Sequence, residues 1–215
     1  MELILVQGKP GCGKSSASEA VVSELRRRHG IDAVFVSVGD RLRAIRAGTV
    51  TSKFAEQVTG AAKALSSGRR VTDDLVTAVV DEFLTLRSSS QVLIVDGYPK
   101  YRQQLDPFEC AVARASGQIR GVVYMDLPDE LAVGRIVRRG SRIGEQASAQ
   151  QFARDRIALY NSENRDIESM LRARYRTIRV DASNDRTQSC TAVVSAAMTL
   201  LADHIRRDTS LLRSL

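Results

Sequence analysis

Leu3-Ile4-Leu5-Val6-Gln7-Gly8-Lys9-Pro10-Gly11-Cys12-Gly13-Lys14-Ser15-Ser16 opens on an apolar run and closes on a lysine and two hydroxyls. Residues 8–15 satisfy the pattern GxxxxGK[ST] without adjustment. A short apolar strand pattern precedes the motif. A helix pattern follows it, with Ala17, Ala20, Val21 and Leu25 at helical spacing and Gly30 as its stop. In that setting Gly8, Gly11 and Gly13 let the chain curl so that successive N–H groups face inward. The start of the following helix adds positive potential at the same place. The segment therefore reads as a cradle for a polyphosphate. Lys14 is placed to reach the outer phosphates, and the Ser15 hydroxyl is a ligand for Mg²⁺. Cys12 reads as a small residue tolerated in the loop, although a helix start favours its thiolate.

Working outward, short β-rich apolar runs alternate with longer helical patterns, which is how a parallel α/β sheet is written. The strand candidates are 2–7, 33–37, 91–95, 119–126 and 176–181. Val92-Leu93-Ile94-Val95 is apolar at every position, as a central strand covered on both faces requires. Asp96 follows at its carboxyl edge, where open α/β sheets bind their ligands. A carboxylate there would hold Mg²⁺ through water, or would simply open the turn Asp96-Gly97-Tyr98-Pro99. The span from about 40 to 87 is too long for a plain crossover. It carries helical patterns near 52–66 and 73–87, broken by Ser66-Ser67-Gly68, and reads as a helical arm inserted at the rim of the sheet. A second irregular piece, about 139–148, reads as a short lid, and a last helix spans about 186–206 with Cys190, Val193, Val194, Ala197 and Leu201 on one face. The core is then 1–39, 88–138 and 149–215, all within one domain.

The composition narrows the class. With 215 residues, 43% hydrophobic and 27% charged, the chain has the make-up of an ordinary soluble domain. No apolar run approaches a bilayer span, and the first residues lack the pattern of a secretory leader. Cys12, Cys110 and Cys190 are scattered and show no CxxC spacing, so neither a disulfide framework nor a zinc site is expected and a reducing cytoplasm is. The net charge of +7 comes mostly from arginine. Trp is absent and aromatics do not interleave with the basic clusters, which argues against stacking on single-stranded nucleic acid.

Three further segments, taken with the loop, resemble the adenylate kinases and related nucleoside monophosphate kinases. Val38-Gly39-Asp40-Arg41-Leu42-Arg43 is similar to the family's Thr-Gly-Asp-x-x-Arg, and Asp96-Gly97-Tyr98-Pro99-Lys100 to its Asp-Gly-aromatic-Pro-Arg. Arg135-Ile136-Val137-Arg138-Arg139-Gly140 is similar to the helix end that leads into its lid. The resemblance runs over roughly 1–205. It implies a five-stranded parallel sheet flanked by helices, in the order 2-3-1-4-5, with a monophosphate-binding arm and a lid. It also implies transfer of the ATP γ-phosphate to a nucleoside monophosphate, AMP favoured, with Mg²⁺. Gly8, Pro10, Gly11, Cys12, Gly13, Lys14, Ser15, Ser16 and Arg135 would then bind ATP. Val38, Gly39, Arg43, Val71, Gly97, Lys100 and Gln104 would bind the acceptor, with Arg43 on its phosphate and Gln104 reading its base. Lys14, Arg139, Arg142 and Arg156 would neutralise the transferring phosphoryl group. Ser15 and Asp96 would serve the metal. The partners implied are nucleoside mono- and triphosphates, handled by a cytoplasmic monomer with no nucleic acid and no membrane.

The sequence departs from that pattern in places. Lys100 stands where the family has an arginine, which keeps the charge but loses the two-pronged phosphate contact. Val38 replaces a threonine. In the lid, Glu145 falls where an arginine is expected and Ala147-Ser148 where paired aspartates are expected, with Arg142 three residues earlier as a substitute. Two other readings share the cradle: a kinase for another small metabolite, and a regulatory module that binds ATP without efficient transfer.

Overall fold

Strand β1 (Glu2–Gly8) is buried at every position after Glu2, because it is paired on both edges and covered on both faces. The computed structural model describes residues 1–65, 71–87, 91–140 and 146–206. β1 lies between β3 (Val92–Asp96) and β4 (Gln118–Asp126), with β2 (Ala33–Ser37) outside β3 and β5 (Thr177–Asp181) outside β4. All pairings are parallel, giving a five-stranded sheet in the order β2-β3-β1-β4-β5, as the family resemblance implies. The expected strand limits hold to within a residue, and β3 reaches Asp96 itself.

The two-residue period of the strands sorts their apolar side chains into two cores. Ile4, Val6, Ile94, Val123 and Met125 pack under α1 (Lys14–His29) and α9 (Arg186–Leu200), against Val21, Leu25, Val193 and Ala197. Leu3, Leu5, Leu93, Val95 and Val122 pack on the other face, where Phe83, Leu105, Phe108 and Leu171 meet them. The buried face of α1 is Ala17, Ser18, Val21 and Leu25; Ala20, expected there, is only half-buried. Gly30 ends α1 in the left-handed conformation, as expected. The last helical span breaks at Leu201 before resuming over 202–206.

The span read as an arm contains α2 (Val38–Arg46), α3 (Ala55–Leu65) and α4 (Asp73–Thr85). Ser37 caps α2 by accepting from the Asp40 amide at 3.3 Å, and Thr72 caps α4 by accepting from the Leu75 amide at 3.4 Å. α4 is moored to the sheet, since Val76, Val80, Phe83 and Leu84 share a core with Leu93 and Val95. α2 and α3 meet it through a small separate cluster of Ile45, Val58 and Val79. The break at 66–68 lies outside the described residues. So does the middle of the expected lid, 141–145; α6 (Asp129–Gly140) and α7 (Gln146–Glu163) supply its two ends as helix. Between β3 and β4 runs α5 (Arg102–Arg114), and α8 (Arg165–Arg174) precedes β5. Among the described residues no helix is long and apolar enough to cross a membrane.

Candidate active site

The turn from β1 into α1 is tight because only glycine fits two of its positions. Gly8 has φ 141°, and a Cβ there would sit 2.5 Å from the Met125 carbonyl oxygen and 2.9 Å from Cys12 Sγ. Gly13 adopts a left-handed φ of 95° and caps α1 without any side-chain acceptor. The first-turn N–H groups of α1 are thus left for an outside anion. Lys14 folds back over the loop, its Nζ donating to the carbonyls of Gly8 at 2.8 Å and Lys9 at 3.1 Å. Ser15 Oγ donates to Asp96 Oδ2 at 3.0 Å, so the hydroxyl and the carboxylate expected to serve a metal do stand side by side. An all-oxygen pair of this kind suits a hard cation such as Mg²⁺. No group of three or more His, Cys, Asp or Glu side chains that could hold a metal ion occurs among the described residues.

Cys12 packs as a small residue inside the loop. Its side chain is buried, and burial pushes the thiol pKa up despite the nearby Lys14 ammonium. The helix start does not make it a thiolate, because desolvation outweighs the local positive charge.

A cleft of about 390 Å³ opens beside the loop, floored by Gly11, Gly13 and Ser16. Arg135 and Arg138 of α6 form one side, and Asp185, Arg186 and Ser189 at the start of α9 form the other. Arg135 donates to the carbonyls of Ser183 at 3.4 Å and Asn184 at 3.0 Å, which ties the two sides together. The α9 side went unread in the sequence, where only the apolar face of that helix stands out.

Across the loop lies a second group of side chains. Gly97, at φ 62°, donates its N–H to Val6 O at 3.0 Å, and a Cβ on it would lie 3.7 Å from both Lys100 Cε and Lys14 Cε. The two lysines therefore flank one glycine. Lys100 is solvent-exposed, yet its pKa is lowered, first by the protein packed around it and then by the charges of Lys14, Arg156 and Arg43. The Asp96 carboxylate opposes this shift. Arg43 pairs with Asp40 one turn earlier in α2, and a Cβ on Gly39 would lie 3.5 Å from its guanidinium. The Asp40 carboxyl is held below the ordinary range; burial opposes this, and bonds from Arg43 and Ser37, with the field of Arg43 and of Arg139, prevail. Arg139, at the lid end of α6, is thereby an electrostatic neighbour of the arm. Val38 is buried in the apolar core beneath α4, and Val71 packs against that same core. Gln104 is buried, its Oε1 accepting from the Lys100 amide at 2.8 Å and its Nε2 donating to Asp73 Oδ1 at 2.6 Å. Arg142 and Glu145 lie outside the described residues, as do the side chains of Ala147 and Ser148.

A further link, unread in the sequence, ties the loop to α7. Lys9 pairs with Asp129 at the start of α6, and Asn161 of α7 donates to the other Asp129 oxygen at 2.8 Å. The Lys9 bond, the Asn161 bond and the Lys9 charge together hold the Asp129 carboxyl below its usual range. A lowered folded-state pKa stabilises the fold above the ordinary aspartate range, and that contribution is lost as pH falls through the lowered value. Asp129→Asn should therefore lower the melting temperature near neutral pH by about 2 °C, since a partly exposed pair contributes about 1 kcal/mol at most. The difference should vanish in acid. Thermal melts of both proteins across pH check this, and parallel curves would count against it.

A glycine cradle at the carboxyl end of the central strand, with a hydroxyl–carboxylate pair beside it, defines a P-loop nucleotide-binding protein. The family model described as Adenylate kinase matches residues 6–184. The adenylate kinase of Stenotrophomonas maltophilia strain R551-3 is 30% identical over 182 residues, covering 84% of this chain and 90% of that one. That of Synechococcus sp. strain WH7803 is 32% identical over 180 residues, with 83% and 89% covered. That of Phocaeicola vulgatus is 26% identical over 161 residues, with 74% and 79% covered. The chain belongs to the adenylate kinase family. It is an ATP-dependent phosphotransferase acting on a nucleoside monophosphate.

Proposed function

We propose that the acceptor is preferentially AMP, held between the arm and the cradle. The observation that carries this reading is the grouping around Gly97. Lys14 and Lys100 flank that glycine, Arg43 and Arg156 are charged neighbours of Lys100, and the Gln104 amide bonds the backbone of Lys100. ATP lies with its phosphates in the loop of residues 8–15 and its base in the cleft bounded by Arg135. Arg43 and Lys100 bind the acceptor phosphate, and Gln104 pairs with the acceptor base. Gly97 admits that base close to the backbone.

The acceptor phosphate oxygen is already anionic near neutral pH, so no general base is required. The remaining tasks are alignment and charge stabilisation. Lys14, Arg139 and Arg156 neutralise the equatorial oxygens of the transferring group. Ser15 and Asp96 would hold Mg²⁺, which would neutralise charge on the donor's phosphates. Closing arm and lid over the cleft excludes water, which would otherwise take the phosphoryl group. The same reading has the chain act as a cytoplasmic monomer on free nucleotides.

The test is an acceptor panel with Mg·ATP and AMP, dAMP, CMP, UMP or GMP, each diphosphate product measured directly. AMP should give the highest kcat/KM. Preference for another base would overturn the AMP assignment. Transfer to none of them would point to a different small acceptor.

Lys100 supplies a pH test of the same site. Because its pKa lies below that of an ordinary lysine, its charge is lost earlier as pH rises. Free-enzyme kcat/KM for AMP should fall on the alkaline side. Lys100→Arg should remove that limb and lower the acceptor KM by about threefold to tenfold, the gain from a two-pronged phosphate contact. Superimposable pH profiles would take Lys100 off the phosphate.

A further inference from the structure

We infer that Asp73 is a specificity-determining residue: its carboxylate locks the Gln104 amide in one orientation and so fixes which acceptor bases can pair with it. The inference rests on the acceptor reading above, which supplies the direction of the preference. The lock itself follows from the bonds.

A glutamine amide has two ends of similar size and opposite hydrogen-bonding character. Left free, it can turn over and offer either pattern to a base. Gln104 is not free. Nε2 donates to Asp73 Oδ1 at 2.6 Å, and a carboxylate can only accept. Oε1 accepts from the Lys100 amide at 2.8 Å, and a backbone N–H can only donate. Turning the amide over would set its oxygen against the carboxylate and its NH₂ against the N–H. Both bonds would be lost in a buried place, since Gln104 is only 3% exposed.

Asp73 and Gln104 both stand on rigid supports. Asp73 opens α4 directly after its Thr72 cap, and α4 is anchored in the core through Val76 and Val80. Gln104 is in the first turn of α5, next to the core residue Leu105. Thr77 of α4 and the Tyr98 hydroxyl, 2.9 Å apart, join α4 to the segment leading into α5.

Beyond these two bonds the amide keeps one N–H and one oxygen lone pair. That remaining pair fits a base edge presenting an amino group beside an unprotonated ring nitrogen, as adenine does. Hypoxanthine presents the reverse, a carbonyl beside a ring N–H. With the sugar and phosphate held elsewhere, a locked amide pairs with one and mismatches the other at both positions. A site built to hydrogen-bond one pattern rejects its opposite strongly, because buried groups are then left unpaired.

The experiment compares kcat/KM for AMP and IMP in the wild-type chain, in Asp73→Asn and in Asp73→Glu. The wild type should prefer AMP by about a hundredfold or more, the effect of two mismatched bonds. Asparagine can donate as well as accept, so Asp73→Asn removes one of the two constraints on the amide. The AMP-to-IMP ratio should then fall about tenfold, mainly by a gain on IMP. Glutamate can only accept, so Asp73→Glu should keep the ratio within about threefold of the wild type. A merely structural role would lower both bases together and leave the ratio unchanged, which would overturn the inference. A wild-type ratio below about threefold would do so without any variant. Wild-type transfer to neither base would instead fell the acceptor reading, and the inference with it.

Discussion

Lys14→Ala will leave a folded protein that transfers no measurable phosphate, with kcat down by about a thousandfold or more. The size follows from the chemistry. In phosphoryl transfer the protein's main contribution is fixed positive charge at the equatorial oxygens, and one such charge accounts for about 10³–10⁵ in rate. The Lys14 ammonium sits 2.8 Å from the Gly8 carbonyl, at the mouth of the loop, and Lys14 Cε lies 3.7 Å from where a Cβ on Gly97 would be. The glycine loop and the group around Gly97 and Lys100 therefore meet at this one side chain. The fold does not need it. Its bonds go to two loop carbonyls, and each contributes about 1 kcal/mol to a typical stability of about 5–15 kcal/mol. Steady-state assays with a melting curve on the same sample decide the matter. A kcat within tenfold of wild type would remove Lys14 from the chemistry.

Arg156→Ala should cost nearly as much, about a thousandfold in kcat, with AMP and ATP binding changed far less. Arg156 is exposed on α7, between the buried Ala153 and Ile157, so that helix keeps its packing when the side chain is cut. Its charge nonetheless reaches Lys100. An exposed arginine of no catalytic consequence would change activity little, and that is the outcome to watch for. Arg156→Lys should recover only part of the rate, because an ammonium cannot make the forked contact.

Much of this was legible in the residues, and what was not has a physical cause. The cradle is a contiguous motif bounded by an apolar strand and an amphipathic helix, so a linear reading captures it whole. The sheet order was implied by resemblance and the strand limits by apolar runs. Asp96 could be placed because a strand apolar at every position ends on it. The Ser15–Asp96 pairing then follows from strands β1 and β3 being neighbours in register. The unread contacts are those made by charge or hydrogen bond between distant elements. Asp73 and Gln104 are 31 residues apart, and Lys9 and Asp129 are 120 apart. Nothing in the periodicity of either helix marks those side chains. The state of the Cys12 thiol was hidden for a related reason: local sequence shows the helix start that favours a thiolate, while the burial that overrides it comes from the folded core. The arm was legible as helices, but the mooring of α4 in the main core was not. It depends on which face of the helix meets β3.

The central claim is that two nucleotides are held at once, their phosphates meeting between the glycine loop and the Lys100 pocket. Calorimetric titration with a dinucleotide carrying two adenosines on a five-phosphate chain, in the presence of Mg²⁺, tests it most directly. One ligand that spans both sites gains the second contact at high effective concentration. It should bind one to one and at least a hundredfold tighter than ATP, with that advantage lost in Lys14→Ala. Binding no tighter than ATP alone would contradict the account, because the two pockets would then not face each other.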